Sequence, residues 1–101
     1  MYNLTPDQYD AFFLAAINLV SAIHEKRDYT VYEMHLSACT AILTGQYPKQ
    51  NIVELAKAFD TKQKSIDSLI KHLIGDFTYD KTGYLEKYSI SMDEVKALGS
   101  I

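Results

Sequence analysis

The chain has 101 residues, a formal net charge of −3 and an apolar fraction of 48%. These values fit one folded domain over residues 1–101 with a modest core, and they argue against disorder. No apolar run reaches the about 20 residues that a transmembrane helix requires, and the N-terminus has no recognisable signal peptide. The single Cys39 excludes an internal disulfide and favours a reducing, cytoplasmic setting.

The first predicted element is a long helix over residues 6–26. Thr5 and Gln8 stand at the spacing of a capping box, and Pro6 occupies the first helical position, where its missing N–H costs nothing. The helix carries one wide apolar stripe, formed by Tyr9, Phe12, Phe13, Ala16, Ile17, Val20 and Ile23. Such a stripe is expected either inside the monomer or in the interface of a homodimer, and both interpretations stay open here.

The second predicted helix begins with a capping box from Thr30 to Glu33 and runs to about Leu43. It is apolar on most of its sides, which is typical of a helix in the centre of a fold. Gly45 is expected to end it in a left-handed conformation.

Residues 51–73 are the most informative part of the chain, because they predict two short amphipathic helices separated by a tight break. A capping box from Asn51 to Glu54 opens the first helix, which ends near Phe59. Asp60 and Thr61 are left to turn the chain, and Thr61 is the predicted N-cap of the second helix, 62–73. Helices this short must pack on each other and on a third element, which is the outline of a helix-turn-helix.

The hydrophobic period changes after Gly75, the predicted end of that helix. Residues 77–79 and 84–90 are rich in aromatic and β-branched side chains, and a turn containing Gly83 separates them. This pattern predicts a β-hairpin over residues 77–90. A last capping box, at residues 91–94, predicts a short C-terminal helix.

A helical step of 100° per residue places Lys64, Ser68 and Lys71 opposite the apolar face of helix 62–73. Such side chains can read base edges in the major groove, and the helix N-terminus can hold a phosphate. The predicted DNA-binding residues are Lys57, Thr61, Lys62, Gln63, Lys64, Ser65, Ser68, Lys71, Lys81 and Lys87. The alternative is an ordinary solvated face, on which Asp67 would pair with Lys64 and Lys71 at helical spacing.

Charge is distributed unevenly along the chain. Residues 1–46 carry two basic against five acidic residues, whereas residues 47–90 carry seven lysines against six acids. The second half therefore has the sign that a DNA-facing surface needs, by a small margin.

Apolar residues of the predicted pair match the usual pattern of helix-turn-helix regulators: Leu55, Ala56, Phe59, Ile66 and Leu69. With the hairpin, the order of elements over residues 29–98 resembles the winged-helix DNA-binding domains of the MarR family. The resemblance implies a fold that is mainly α with a small β-hairpin, a winged helix-turn-helix with an extra N-terminal helix. It also implies that helix 62–73 enters the major groove while the hairpin contacts the DNA backbone. TubR-type partition proteins are similar in size and order.

We therefore expect sequence-specific binding of double-stranded DNA by a cytoplasmic homodimer that associates through its N-terminal helix, with repression of transcription by occlusion. Two alternatives stay open. The acidic balance, the scarcity of Arg and the apolar N-terminal helix also suit a protein–protein interaction module of the same fold, such as an adaptor or inhibitor. A partition or replication accessory protein would instead bind cooperatively to an array of DNA sites. No membrane partner is expected.

The sequence does not predict an enzyme, a cofactor or a metal site. Cys39 stands among apolar helical residues, where burial should raise rather than lower its pKa. His35 and Cys39 share a helix face, but a zinc site needs three or four ligands. No Gly-rich phosphate loop and no metal-spaced acids are present.

Overall fold

The computed structural model describes residues 2–79, which form four helices and a two-stranded parallel sheet. The elements in chain order are β1 (Tyr2–Asn3), α1 (Pro6–His24), α2 (Thr30–Thr44), α3 (Ile52–Thr61), α4 (Ile66–Ile74) and β2 (Phe77–Thr78). The mainly helical part of the expected fold is confirmed. Most of the predicted wing, from residue 80 to residue 90, and the predicted helix after residue 91 lie outside the described residues.

Helix α1 is the centre of the fold, because it packs against α2, α3 and α4. The predicted capping box is present: Thr5 Oγ1 accepts from the Gln8 N–H at 3.2 Å, and Gln8 Oε1 accepts from the Thr5 N–H at 3.0 Å. Most of the predicted apolar stripe is buried, and Ile23 at its end is half-buried. Of the two interpretations, burial inside the monomer is therefore the right one, and this stripe is not free to form a dimer interface.

Helix α2 lies at the periphery, so its predicted central position was wrong. Only Leu36 and Thr40 are buried along its length. The physical reason is competition between two apolar helices for one centre. Helix α1 offers enough apolar surface to cover three neighbours, and α2 can then turn only one of its apolar sides toward it.

The start of α2 also differs from the predicted capping box. Thr30 is the first residue of the helix, and its N–H and hydroxyl donate to Asp28 Oδ1 at 3.0 and 2.8 Å. Asp28 therefore supplies the capping side-chain oxygen at this helix end, a role that the capping box predicted for the Thr30 side chain. At the other end, Gly45 adopts the expected left-handed conformation, with φ of 78°, and ends the helix.

Helix α3 ends two residues later than predicted, and α4 begins four residues later. Helix α3 continues through Thr61, whose hydroxyl donates to the Lys57 carbonyl at 2.9 Å, so Thr61 is not the N-cap of α4. The loop begins with a Schellman motif: the N–H of Lys64 donates to the Phe59 carbonyl at 2.9 Å, and Gln63 is left-handed with φ of 53°. The helix N-cap is Ser65, which accepts from the Ser68 N–H at 3.1 Å.

The predicted strand at residue 77 exists, but its described partner is the N-terminus. Strand β2 pairs in parallel with β1, with Tyr2 opposite Phe77 and Asn3 opposite Thr78. Gly75 ends α4 with φ of 85° and ψ of −167°, a conformation that directs the chain into β2 and suits glycine alone. Within residues 2–79, no helix is long and apolar enough to cross a membrane.

Candidate nucleic-acid interface

Most of the predicted DNA-binding residues meet at the exposed corner where α3 turns into α4. Residues 61–65 are all exposed and form the last residue of α3, the loop and the cap of α4. Lys57 lies one turn before Thr61 on the surface of α3, with Nζ 3.5 Å from Glu54 Oε1. Lys81 and Lys87 lie outside the described residues.

The outward face of α4 carries Ser68, Lys71 and His72. The opposite face is buried and consists of Ile66, Leu69, Ile70 and Ile74. Ser68 is half-buried, and its hydroxyl lies 2.8 Å from that of the capping Ser65. Lys71 is exposed, with Nζ 5.8 Å from the centre of the Phe77 ring, a cation–π distance. Because α4 begins only at Ile66, Lys64 is a loop residue rather than part of this helical face.

Two acids of this region turn inward, whereas its lysines and the acids Glu54 and Asp76 remain exposed. All five lysines between residues 49 and 71 are exposed: Lys49, Lys57, Lys62, Lys64 and Lys71. Asp60, in contrast, has a side chain that is only 18% exposed, and its Oδ2 lies 3.3 Å from Nδ1 of His24 on α1. Asp67 is also partly buried, against Tyr9. The surface around α3 and α4 is therefore more positive than the sequence balance indicates.

Asp67 takes part in a network that the sequence did not predict. Its carboxylate accepts a hydrogen bond from the hydroxyl of Tyr9, a fully buried residue of α1. The hydroxyl of Tyr79 donates to the same carboxylate, 3.2 Å from Oδ2. The two tyrosine rings stack with their centres 3.5 Å apart and their planes 9° from parallel. The network ties the first turn of α4 to α1 and to the chain that follows β2.

Burial and the shared carboxylate make both phenols poor acids. Desolvation, followed by the hydrogen bond to Asp67, raises the pKa of Tyr9 well above its usual value. Desolvation is also the main reason that the pKa of Tyr79 rises to about 12. Both hydroxyls therefore remain protonated donors at neutral pH. Tyr9 and Asp67 are 58 positions apart, and Tyr9 fits the apolar stripe of α1, so no local spacing signals the contact.

His72 fixes the other end of the outward face. Its Nε2 lies 2.8 Å from Gln50 Oε1, which links α4 to the segment before α3. Its ring also stands edge-on to Phe59, with the centres 5.8 Å apart. The sequence does not indicate this contact, because Gln50 lies 22 positions before His72 in a connecting segment whose path helical periodicity does not predict.

His35 and Cys39, which share a face of α2, have no further potential metal ligand beside them in the described part of the chain. Residues 2–79 hold no group of three or more His, Cys, Asp or Glu side chains that could bind a metal ion. Burial raises the pKa of the half-buried Cys39 thiol, which makes it a weaker nucleophile at neutral pH.

In comparisons with known proteins, no family model, no curated protein and no solved structure matches this chain.

Proposed function

We propose that the protein binds double-stranded DNA through α4 and the loop before it, and that it acts in the cytoplasm as a transcriptional regulator that represses by occlusion. The observation that carries the proposal is the separation of charge at the α3–α4 corner. Lys62 and Lys64 are exposed beside the N-terminus of α4, Lys57 is exposed on α3 and Lys71 is exposed in the last turn of α4, while Asp60 and Asp67 turn toward α1. Duplex DNA offers the dense negative charge that such a surface attracts.

The proposed mechanism divides the contacts into two groups. Lys57, Lys62 and Lys64 neutralise phosphates, and the N-terminus of α4 adds the favourable end of its helix dipole. Ser68 and Lys71, on the outward face of α4, reach base edges in the major groove, where Lys favours guanine. Lys81 and Lys87 would add backbone contacts in the same way. The network of Tyr9 and Asp67 supports this scheme by holding the first turn of α4 on α1.

The direct test is a gel-shift selection from random duplexes at low salt, followed by titration of the selected site at several salt concentrations. Each phosphate contact contributes roughly −0.9 to the slope of log K against log salt. Lys64→Ala with Lys71→Ala should therefore weaken binding, and the loss of the Lys64 phosphate contact should reduce the slope by about 0.9. The loss at Lys71 should also relax base preference.

The matched control is Lys26→Asn with Arg27→Ala, which removes two positive charges beyond the end of α1. Asn suits position 26 because that residue is left-handed, with φ of 58°. The control should bind almost as tightly as the unchanged protein. If both double variants lost affinity equally, the effect would depend on total charge and not on the α4 face. If the protein bound no duplex at low salt, the DNA proposal would be wrong.

A protein–protein interaction module is the second candidate function. The observation that favours it is the set of large apolar side chains that α2 exposes, among them Met34 and Ile42. This face and the α3–α4 corner are different surfaces, so the two functions do not exclude each other. Absence of DNA binding together with a stable complex with another protein would favour the second candidate.

A further inference from the structure

The solvent-facing side of α2 is mostly apolar, although the exposed His35 lies beside its apolar side chains. Ile42 is 84% exposed, Met34 65% and Val31 56%, and Leu14 of α1 beside them is 39% exposed. The α2 side chains among them recur, together with Ala38, every three or four residues, which places them on one helical stripe directed away from α1. We call this set, Val31, Met34, Ala38 and Ile42, the α2 stripe.

The surface helix α2 is unusual in having almost no charge. Glu33 is its one residue among Asp, Glu, Lys and Arg, and it is half-buried away from the stripe. At the fractional exposures given above, the three large side chains and Leu14 present on the order of 400 Å² of apolar surface, the size of a functional patch on a monomer. A charge-free surface of this kind attracts neither nucleic acid nor a charged peptide.

The stripe is complementary to itself when two copies of α2 run antiparallel. Met34 and Ile42 stand four residues before and after Ala38, and Val31 and Gly45 stand seven residues before and after it. A two-fold axis at Ala38 therefore sets Met34 of one copy against Ile42 of the other, and Val31 against a glycine. Large side chains meet at two positions, and small residues give them room at the others.

From this self-complementarity we infer that the protein forms a two-fold homodimer through the α2 stripe. Small residues at the crossing point let two helices approach closely, as an Ala38–Ala38 contact would. The shallow groove between α1 and α2, lined in part by Ala11, Leu14 and Cys39, receives Met34 of the partner copy. A flexible thioether suits such an irregular groove.

A second copy fits this face better than other occupants do. A two-fold contact buries both stripes at once, so the apolar area removed from water doubles without any further partner. Asn18 and His35 beside the groove form a polar rim, and the apolar patch supplies about half of the about 800 Å² that each partner buries in a standard interface. The apolar stripe of α1 cannot play this role, because it is inside the monomer. The inference does not depend on DNA binding.

The first experiment is sedimentation velocity of the full chain at micromolar concentrations. The unchanged protein should sediment as a dimer. Ile42→Glu should weaken dimerisation at least about a hundredfold, because the two-fold axis buries the new charge twice. Ala58→Glu, at an exposed position on α3, is the matched control and should remain dimeric. Circular dichroism confirms that both variants fold.

The second experiment tests the register by cysteine cross-linking in a Cys39→Ser background. Ala38→Cys should form an intermolecular disulfide, because the axis brings its Cα atoms within the about 4.4–6.8 Å that a disulfide spans. Met34→Cys alone should not cross-link, whereas Met34→Cys combined with Ile42→Cys should.

Two results would overturn the inference. A monomeric unchanged protein would mean that residues 80–101 or a different protein cover the α2 stripe. Cross-linking of Met34→Cys alone, as efficient as that of Ala38→Cys, would mean parallel packing instead of the two-fold arrangement.

Discussion

Replacing Tyr9 with Phe removes one hydroxyl from the centre of the protein and should destabilise it strongly. Tyr9 is 1% exposed, and its hydroxyl donates to the carboxylate of Asp67 across the α1–α4 contact. The substitution keeps the ring, and with it the stacking on Tyr79. What is lost is a hydrogen bond to a charged group in a partly buried site.

The expected loss is about 2 kcal/mol of unfolding free energy, since hydrogen bonds to charged groups contribute about 1.5–3 kcal/mol. The loss should stay below the upper end because Tyr79 still donates to Asp67 at 3.2 Å. For a domain of this length, each kcal/mol lowers Tm by roughly 4–8 °C. Tyr9→Phe should therefore melt roughly 8–16 °C below the unchanged protein.

The assay is urea unfolding followed by circular dichroism, carried out as a double-mutant cycle with Asp67→Asn. If the two groups bond directly, the two substitutions should be non-additive by about 1–2 kcal/mol. Tyr47→Phe is the matched control, because this tyrosine is 74% exposed; its effect should stay within about 0.5 kcal/mol. A Tyr9→Phe variant as stable as this control, or an additive cycle, would refute the reasoning.

Three further predictions concern backbone conformation and alkaline pH. Gly75→Ala should lower the unfolding free energy by about 1–3 kcal/mol because of the φ and ψ of Gly75. Gly45→Ala should lower it less, because a left-handed φ alone costs about 1 kcal/mol. Urea unfolding midpoints, at unchanged m-values, test this order. Gln63→Gly should raise the unfolding free energy by up to about 1 kcal/mol, since Gln63 is left-handed at the C-terminus of α3; a decrease would contradict a strained loop. The stability that the Tyr79 hydroxyl contributes should be fully present below pH 10, the usual pKa of tyrosine. It should be lost as the pH rises through about 12, the pKa of Tyr79 in the folded protein. The sign follows because the folded state holds the proton more tightly than the unfolded state does. Tyr79→Phe should show a smaller alkaline loss in pH-dependent melting, and an unchanged loss would assign the effect to other groups.

Helix ends were the most predictable part of this protein. The Thr5 capping box, the Asn51 cap and the glycines that end α2 and α4 all appear where the sequence predicts them. Each depends on hydrogen bonds or on backbone conformation within about four residues, so the information is local. The predicted N-cap of α4, Thr61, was wrong because Thr61 and Ser65 are both suitable capping residues. The choice between them depended on how far α3 extended.

The members of the candidate site could also be named from the sequence, but their environment could not. Residues 61–65, Ser68 and Lys71 lie exposed as a polar face should. The competing interpretation, in which Asp67 belongs to a solvated face beside Lys64 and Lys71, missed its contacts with Tyr9 and Tyr79. Those contacts join positions that are 58 and 12 residues apart, and the spacing of charges on one helix carries no information about them.

The sequence by itself determined that the four helices of residues 2–79 form and where most of them begin and end, because these features follow from periodicity and short-range hydrogen bonds. Only the tertiary structure decided which helix occupies the centre. Both α1 and α2 are apolar enough to occupy the centre. The hydrophobic effect favours the arrangement that removes the greatest total apolar area from water, and that area depends on all the elements together. That choice placed α1 inside and left the α2 stripe exposed. It also turned two acids of the α3–α4 corner toward α1 and left its lysines on the surface.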